Sequence, residues 1–208
     1  MTKTMNYEHL ASVEIVEKTI AALKERNIGA VVVETKAEAL EKIKSLIPAG
    51  APVMNGSSTT LQEIGFVDYL KGGKHGWNNV HKEILKEKDP VHQAELRKQS
   101  ILADYFLGSV HAVTEAGQLL VASASGSQIP SYAFSSDNVI WVVGTQKIVP
   151  SFDEAMKRIQ DYVYPLENKR MQSVGYPGSA IDRILIIQGE MMPNRHLTVI
   201  FVKEKLGF

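Results

Sequence analysis

The chain has 208 residues, 44% of them hydrophobic, enough to bury a sizeable core in one domain. Lys plus Arg and Asp plus Glu each total 23, so the formal charge is zero, and no block of like charge marks a nucleic-acid surface or a polybasic membrane patch. Cysteine is absent, which excludes disulfides, thiolate metal sites and iron–sulfur ligation by this chain, and no run reaches the ~18 apolar residues of a membrane span.

Residues 6–26 carry Leu10, Val13, Val16, Ile20 and Leu23 at helical spacing and predict an amphipathic helix that Asn27 and Gly29 stop. Ala30–Glu34 follows as a short β-branched strand. Thr35-Lys36-Ala37-Glu38 has the capping-box form and opens a helix over 36–47, which Pro48, Gly50 and Pro52 end. Val53-Met54 then closes a further strand, and Thr60-Leu61-Gln62-Glu63 is a second capping box. Strand, helix, strand, helix is the order of a parallel sheet with crossover helices.

Residues 71–80 contain three glycines and two asparagines without periodicity and read as an exposed loop; Trp77 in it is either part of a lid or an anchor. Asp89-Pro90 separates a short helix near 81–88 from a longer one near 90–103. Tyr105–Val113, Gln118–Ser123 and Val139–Val143 read as strands with glycine and serine turns between them. Ser151-Phe152-Asp153-Glu154 caps a helix to about residue 163, residues 165–182 are turn-rich, and Ile184–Gln188 and Leu197–Val202 are the last strands. Residues 1–208 are therefore expected to form one α/β domain, with a small β-rich lobe formed by the C-terminal part.

Two stretches carry chemistry. In Val53-Met54-Asn55-Gly56-Ser57-Ser58-Thr59-Thr60, small polar residues join a strand to a helix start. Hydroxyl, amide and unpaired backbone donors gather there, a pattern suited to a carboxylate or phosphate, although a plain turn would use the same residues. No Gly-Lys-Ser/Thr follows the glycine, so this is not a nucleotide-binding P-loop. In Thr114-Glu115-Ala116-Gly117-Gln118, a carboxylate stands between a strand and a glycine turn, which makes Glu115 a candidate acid, base or nucleophile. His111 reads as a packed strand histidine more readily than as a base, and His81, His92 and His196 lack metal-ligand spacing.

The ordered set of Asn55-Gly56-Ser57-Ser58-Thr59-Thr60-Leu61-Gln62-Glu63-Ile64-Gly65, Ala103-Asp104, Thr114-Glu115-Ala116-Gly117-Gln118-Leu119 and Lys147-Ile148-Val149-Pro150 resembles the LUD (lactate utilisation) domain family. The resemblance runs over roughly residues 10–165. The family's acidic residue followed by Thr-Gly-Thr is here Glu115-Ala116-Gly117-Gln118, and its arginine-bearing stretch is here Ser125-Gly126-Ser127-Gln128-Ile129-Pro130, departures that suggest a single-domain branch.

The resemblance implies a Rossmann-like, mostly parallel sheet flanked by helices, similar to the group that holds sugar-phosphate isomerases, formyltetrahydrofolate cyclo-ligase and coenzyme A transferases. It implies a small anionic ligand, carboxylate or phosphate, bound by Asn55, Gly56, Ser57, Ser58, Thr59 and Thr60. Lys147 adds positive charge, Gly117, Ser125, Gly126 and Ser127 add further contacts, and Glu115 faces the ligand across the same cleft. The cofactor stays unidentified. Some family members are encoded with iron–sulfur proteins that support lactate oxidation, so the resemblance implies such redox partners, and further copies of this chain, as candidate partners. The leading expectation is a cytoplasmic accessory subunit of lactate or organic-acid utilisation that binds a small organic anion. The alternative is a stand-alone enzyme acting on a phosphorylated sugar or a coenzyme A thioester through Glu115.

Overall fold

The computed structural model describes residues 5–208. Its centre is a six-stranded sheet formed by β1 (Gly29–Val33), β2 (Pro52–Asn55), β3 (Asn78–Asn79), β4 (Tyr105–Gly108), β7 (Asn138–Gly144) and β10 (His196–Val202), in the order β1-β10-β7-β4-β2-β3 with every neighbour parallel. A parallel sheet with covered faces needs apolar side chains on both sides of each central strand. In β7, Val139, Trp141 and Val143 enter one core while Ile140 and Val142 enter the other. The first core also takes Val16 and Leu23 of helix α1 (Val13–Glu25). The second takes Ala39 and Ile43 of α2 (Lys36–Leu46), Leu61 of α3 (Thr59–Glu63), and Phe66 and Leu70 of α4 (Phe66–Gly72). The architecture is thus the helix-flanked, Rossmann-like α/β sheet that alternation in the sequence predicts.

Four further strands make a second sheet, β8-β5-β6-β9, from β5 (Ala112–Thr114), β6 (Leu119–Ser123), β8 (Ile148–Val149) and β9 (Arg183–Ile187). It mixes one parallel pair, β5 with β8, and two antiparallel pairs. Most of it comes from the middle of the chain. Residues Tyr105–Val113, which read as one strand, are divided between the two sheets. The break is at Ser109, Val110 and His111, where the Ser109 hydroxyl donates to the Val142 carbonyl at 2.7 Å and the His111 N–H donates to Leu120 at 2.9 Å.

Caps explain the other differences from the sequence reading. The first helix begins at Val13, because the Ser12 hydroxyl accepts from the Ile15 N–H, while Leu10 stands outside it. Helix α3 is capped by Ser58, whose hydroxyl accepts from the Leu61 N–H at 3.2 Å. Thr60 is therefore free to bury its hydroxyl, and Glu63 instead accepts from the Gly207 N–H at 2.7 Å. Thr35 and Ser151 do cap their helices, and Asp89 caps α6 (Pro90–Gln99) after the short α5 (Val80–Lys86).

The last helix is longer than its sequence suggests. After α7 (Phe152–Lys157) the chain passes through a π-helical turn, 158–163, and continues as α8 (Tyr164–Ser173) through Pro165. Proline lacks an N–H and crowds the preceding turn. The wider turn, in which the Tyr164 N–H reaches back to Ile159, accommodates it without ending the helix. Trp77 settles as an anchor: its ring packs with Phe66, Tyr69 and His75, and its indole N–H donates to Ile47 at 3.1 Å.

Candidate functional site

In open α/β sheets, ligands bind outside the carboxyl ends of the strands. A cavity of about 620 Å³ opens there, between the ends of β2, β4 and β7, the second sheet, and the π-turn and α8. Its wall is rich in hydroxyls: Ser57, Ser58, Thr59 and Thr60 after β2, Ser109 after β4, Ser123 at the end of β6, and Ser125 and Ser127 after it. Tyr132, Tyr164 and Tyr176 add phenols.

Lys147 is the central feature. The single turn Thr145–Lys147 follows β7 directly and carries the lysine inward, where it is 2% exposed. Its ammonium donates to the Thr60 hydroxyl at 3.2 Å, the Ser109 hydroxyl at 3.1 Å and the Val110 carbonyl at 3.2 Å. All three acceptors are neutral. Among the described residues, no carboxylate forms an ion pair with it, whereas Lys18, Lys44, Lys86, Lys157, Lys203 and Lys205 each pair with a glutamate. Burial pushes Lys147 down from its ordinary 10.5 to about 7, the Arg158 guanidinium pushes the same way, and Glu63 opposes them.

Two glycines permit this packing. A side chain on Gly108 would overlap the buried Tyr132 hydroxyl, and Gly207, at φ 57°, lies against Thr60 and Lys147 so closely that a Cβ there would stand 2.5 Å from the threonine oxygen. Gln146 anchors the same returning segment by donating to the Leu206 carbonyl at 2.8 Å.

His111 lines the cavity beside the lysine. Its Nδ1 accepts the Ala122 N–H at 3.0 Å. Burial first, then the charges of Lys147 and Arg158, hold it down to about 3, so the imidazole is neutral and its proton resides on Nε2. Behind it, Arg158 is fully buried, donates to the His111 carbonyl and lies over the rings of Tyr7 and Tyr162 at 5.8 and 5.2 Å. At the other end, Arg170 and Glu167 of α8 form a two-bonded pair, 2.7 Å in each bond, and both line the cavity with Arg97.

The sequence-derived site residues divide accordingly. Ser57, Ser58, Thr59, Thr60, Ser125, Ser127 and Lys147 share the cavity wall. Asn55 and Gly56 lie just behind it, the Asn55 amide donating to the Gly56 carbonyl at 3.0 Å, and Gly126 turns the Ser125–Ser127 loop at φ 77°. Gly117 packs against the backbone of Ala22 and Leu23 instead. Glu115 does not line the cavity: it stands at the far end of β5 from His111 and accepts from Lys18 at 2.7 Å. Sequence reading passed over Ser109, Tyr132, Tyr164 and Glu167, and it took residues 165–182 for turns. A usable signal was present at Lys147, since it stands in a short polar interruption, Gly144-Thr145-Gln146-Lys147, between two apolar runs, Val139–Val143 and Ile148–Val149. No cluster of metal-ligating side chains occurs among the described residues, and none of their helices is long and apolar enough to cross a membrane.

The model of the LUD domain matches residues 16–202. A crystal structure of a DUF162 family protein from Deinococcus radiodurans is similar over 93% of this chain and 99% of its own, with a TM-score of 0.56 and 15% sequence identity, a likeness of fold. No curated protein matches the sequence.

Proposed function

The chain belongs to the LUD domain family, and from that premise we propose that its cavity binds a small organic anion, in the service of lactate or organic-acid utilisation. The observation that carries this reading is Lys147, a buried cation with three neutral hydrogen-bond partners and no carboxylate among the described residues. A buried charge without a counter-charge is costly, and an anionic ligand relieves that cost on binding. The hydroxyls of Ser57 and Thr59, which have no partner among the described hydrogen bonds, are suited to take the carboxylate or phosphate oxygens. The Ser125–Ser127 loop and the Arg170–Glu167 pair line the same cavity and are suited to hold the remainder of the ligand.

Cavity volume bears on ligand size. About 620 Å³ lies in the range of pockets for drug-sized molecules, so a three-carbon acid would fill only part of it. In this reading the protein is an accessory cytoplasmic subunit whose iron–sulfur chemistry is supplied by partner proteins, consistent with a chain that has no cysteine. A stand-alone enzyme working through Glu115 is the weaker reading, because that carboxylate is paired with Lys18 outside the cavity wall.

A thermal-shift and calorimetric panel of lactate, pyruvate, sugar phosphates, coenzyme A thioesters and folates tests the proposal on wild type, Lys147→Met and Ser57→Ala. A ligand at 100 times its Kd adds about 2.7 kcal/mol to stability. Binding that is lost in Lys147→Met and weakened in Ser57→Ala is expected. Equal binding by all three proteins would overturn the assignment of the anion to this wall.

A further inference from the structure

Lys147 has a geometry that simple charge recognition does not require. Its nitrogen is locked at the inner wall by three oxygens from two separate segments, Thr60 in the helix after β2, and Ser109 and Val110 in the loop after β4, while its own backbone is fixed between β7 and β8. The surface lysines named above are neutralised by glutamates; this one is set against neutral oxygens, with Val110, Ile159 and Val163 supplying apolar cavity wall nearby. Buried lysines without an ion-pair partner lose their proton easily and become nucleophiles toward carbonyl carbon. Here the depression to about 7 leaves a large fraction of free amine at neutral pH.

We propose that Lys147 forms an imine with the keto carbon of a 2-oxo acid bound in this cavity. This rests on the anion-binding reading and names the substrate class for it. The acid's carboxylate is taken by the hydroxyls of Ser57 and Thr59, and the protonated Nε2 of His111 is the donor available to the keto oxygen. The lone pair of Nζ adds to the keto carbon, a C–N bond forms, and the carbonyl π pair moves to oxygen, which takes a proton from the nitrogen. The carbinolamine then loses its hydroxyl with the remaining nitrogen proton as one water, leaving C=N. Amine plus ketone gives imine plus water, with no change of oxidation state. Thr60, whose hydroxyl gives only a long 3.5 Å bond to the Leu206 carbonyl, can turn its proton to the imine nitrogen, while the Ser109 hydroxyl stays bonded to the Val142 carbonyl.

The test is reductive trapping. Wild-type protein is incubated at neutral pH with sodium cyanoborohydride and, in separate reactions, pyruvate, 2-oxobutyrate, 2-oxoglutarate or phenylpyruvate, then digested and mapped by mass spectrometry. The expected result is a reduced adduct on Lys147 with at least one acid, formed on the order of a hundredfold faster than on the surface lysines because far more of its amine is unprotonated. Lactate, which has the carboxylate but no keto group, should suppress the labelling. Lys147→Arg, which keeps the cation, should retain anion binding and lose the adduct.

If a 2-oxo acid binds by calorimetry and the binding disappears in Lys147→Met, yet no adduct forms on Lys147, the imine is refuted and the anion site stands. If none of these acids binds and none is trapped, the imine proposal fails, and the anion site is then judged by the remaining compounds of the panel. The wild-type peptide map decides the proposal even if Lys147→Arg does not fold.

Discussion

Stability between about pH 7 and pH 9 should record the burial of Lys147. Its folded value, about 7, is below its ordinary 10.5, so through this window the unfolded chain holds the lysine proton more tightly than the folded one. The unfolded state binds more protons, and stability must therefore rise as pH rises. With those two values, the gain from about pH 7 to about pH 9 comes to about 2 kcal/mol. The groups that act on the lysine do not obscure it. Arg158 titrates near 10 and His111 near 3 in the folded protein, while the charge of Glu63 opposes the shift without reversing it. Urea unfolding of wild type and Lys147→Met across the window isolates the effect, since methionine fills a similar volume and cannot titrate. The wild-type free energy should climb relative to the variant by about that amount. Parallel profiles would mean that the lysine keeps its proton in the folded state and that its burial is compensated in a way the neutral oxygens around it do not explain.

Three further outcomes are expected. Gly108→Ala should cost about 2–3 kcal/mol in chemical denaturation, because its methyl meets the buried Tyr132 hydroxyl, and Tyr132→Phe should recover part of that loss in the double variant. Glu115→Gln should leave ligand affinity unchanged and shift stability by about 1 kcal/mol or less, since its lysine partner is largely exposed; a loss of binding would restore Glu115 to the site. Thr60→Val keeps the shape of the side chain but removes one of the three acceptors of Lys147, so it should lower stability by about 1–2 kcal/mol and weaken anion binding together. Calorimetry on the folded variant separates these two effects.

The sheet was legible because its strands are short β-branched runs between capped helices, and caps at Thr35, Asp89 and Ser151 announce themselves within four residues. The site was legible only in part. The serines after β2 stand in one small polar cluster, but Lys147 differs from a surface lysine through contacts with Thr60 and Ser109, residues 87 and 38 positions away. No local pattern contains such information. The stretch Tyr105–Val113 concealed a passage from one sheet to the other at Ser109, Val110 and His111, because apolar residues flank that break on both sides, both halves are buried and period alone cannot separate them. The continuation of the helix beyond about residue 163, through Pro165, was not legible because the preceding π-turn that tolerates the proline has no sequence signature.

That turn also sets an angular phase. Successive helical residues point about 100° apart, so a single residue gained or lost within 158–163 would swing Glu167 and Arg170 to a different side of α8. The outer rim of the cavity would then be dismantled while every strand of the fold stayed in register. If the cavity binds the proposed anion, the length of this one turn is thus a dial for what its far end can grasp. Relatives that differ by one residue there should accept ligands of the same head and a different tail.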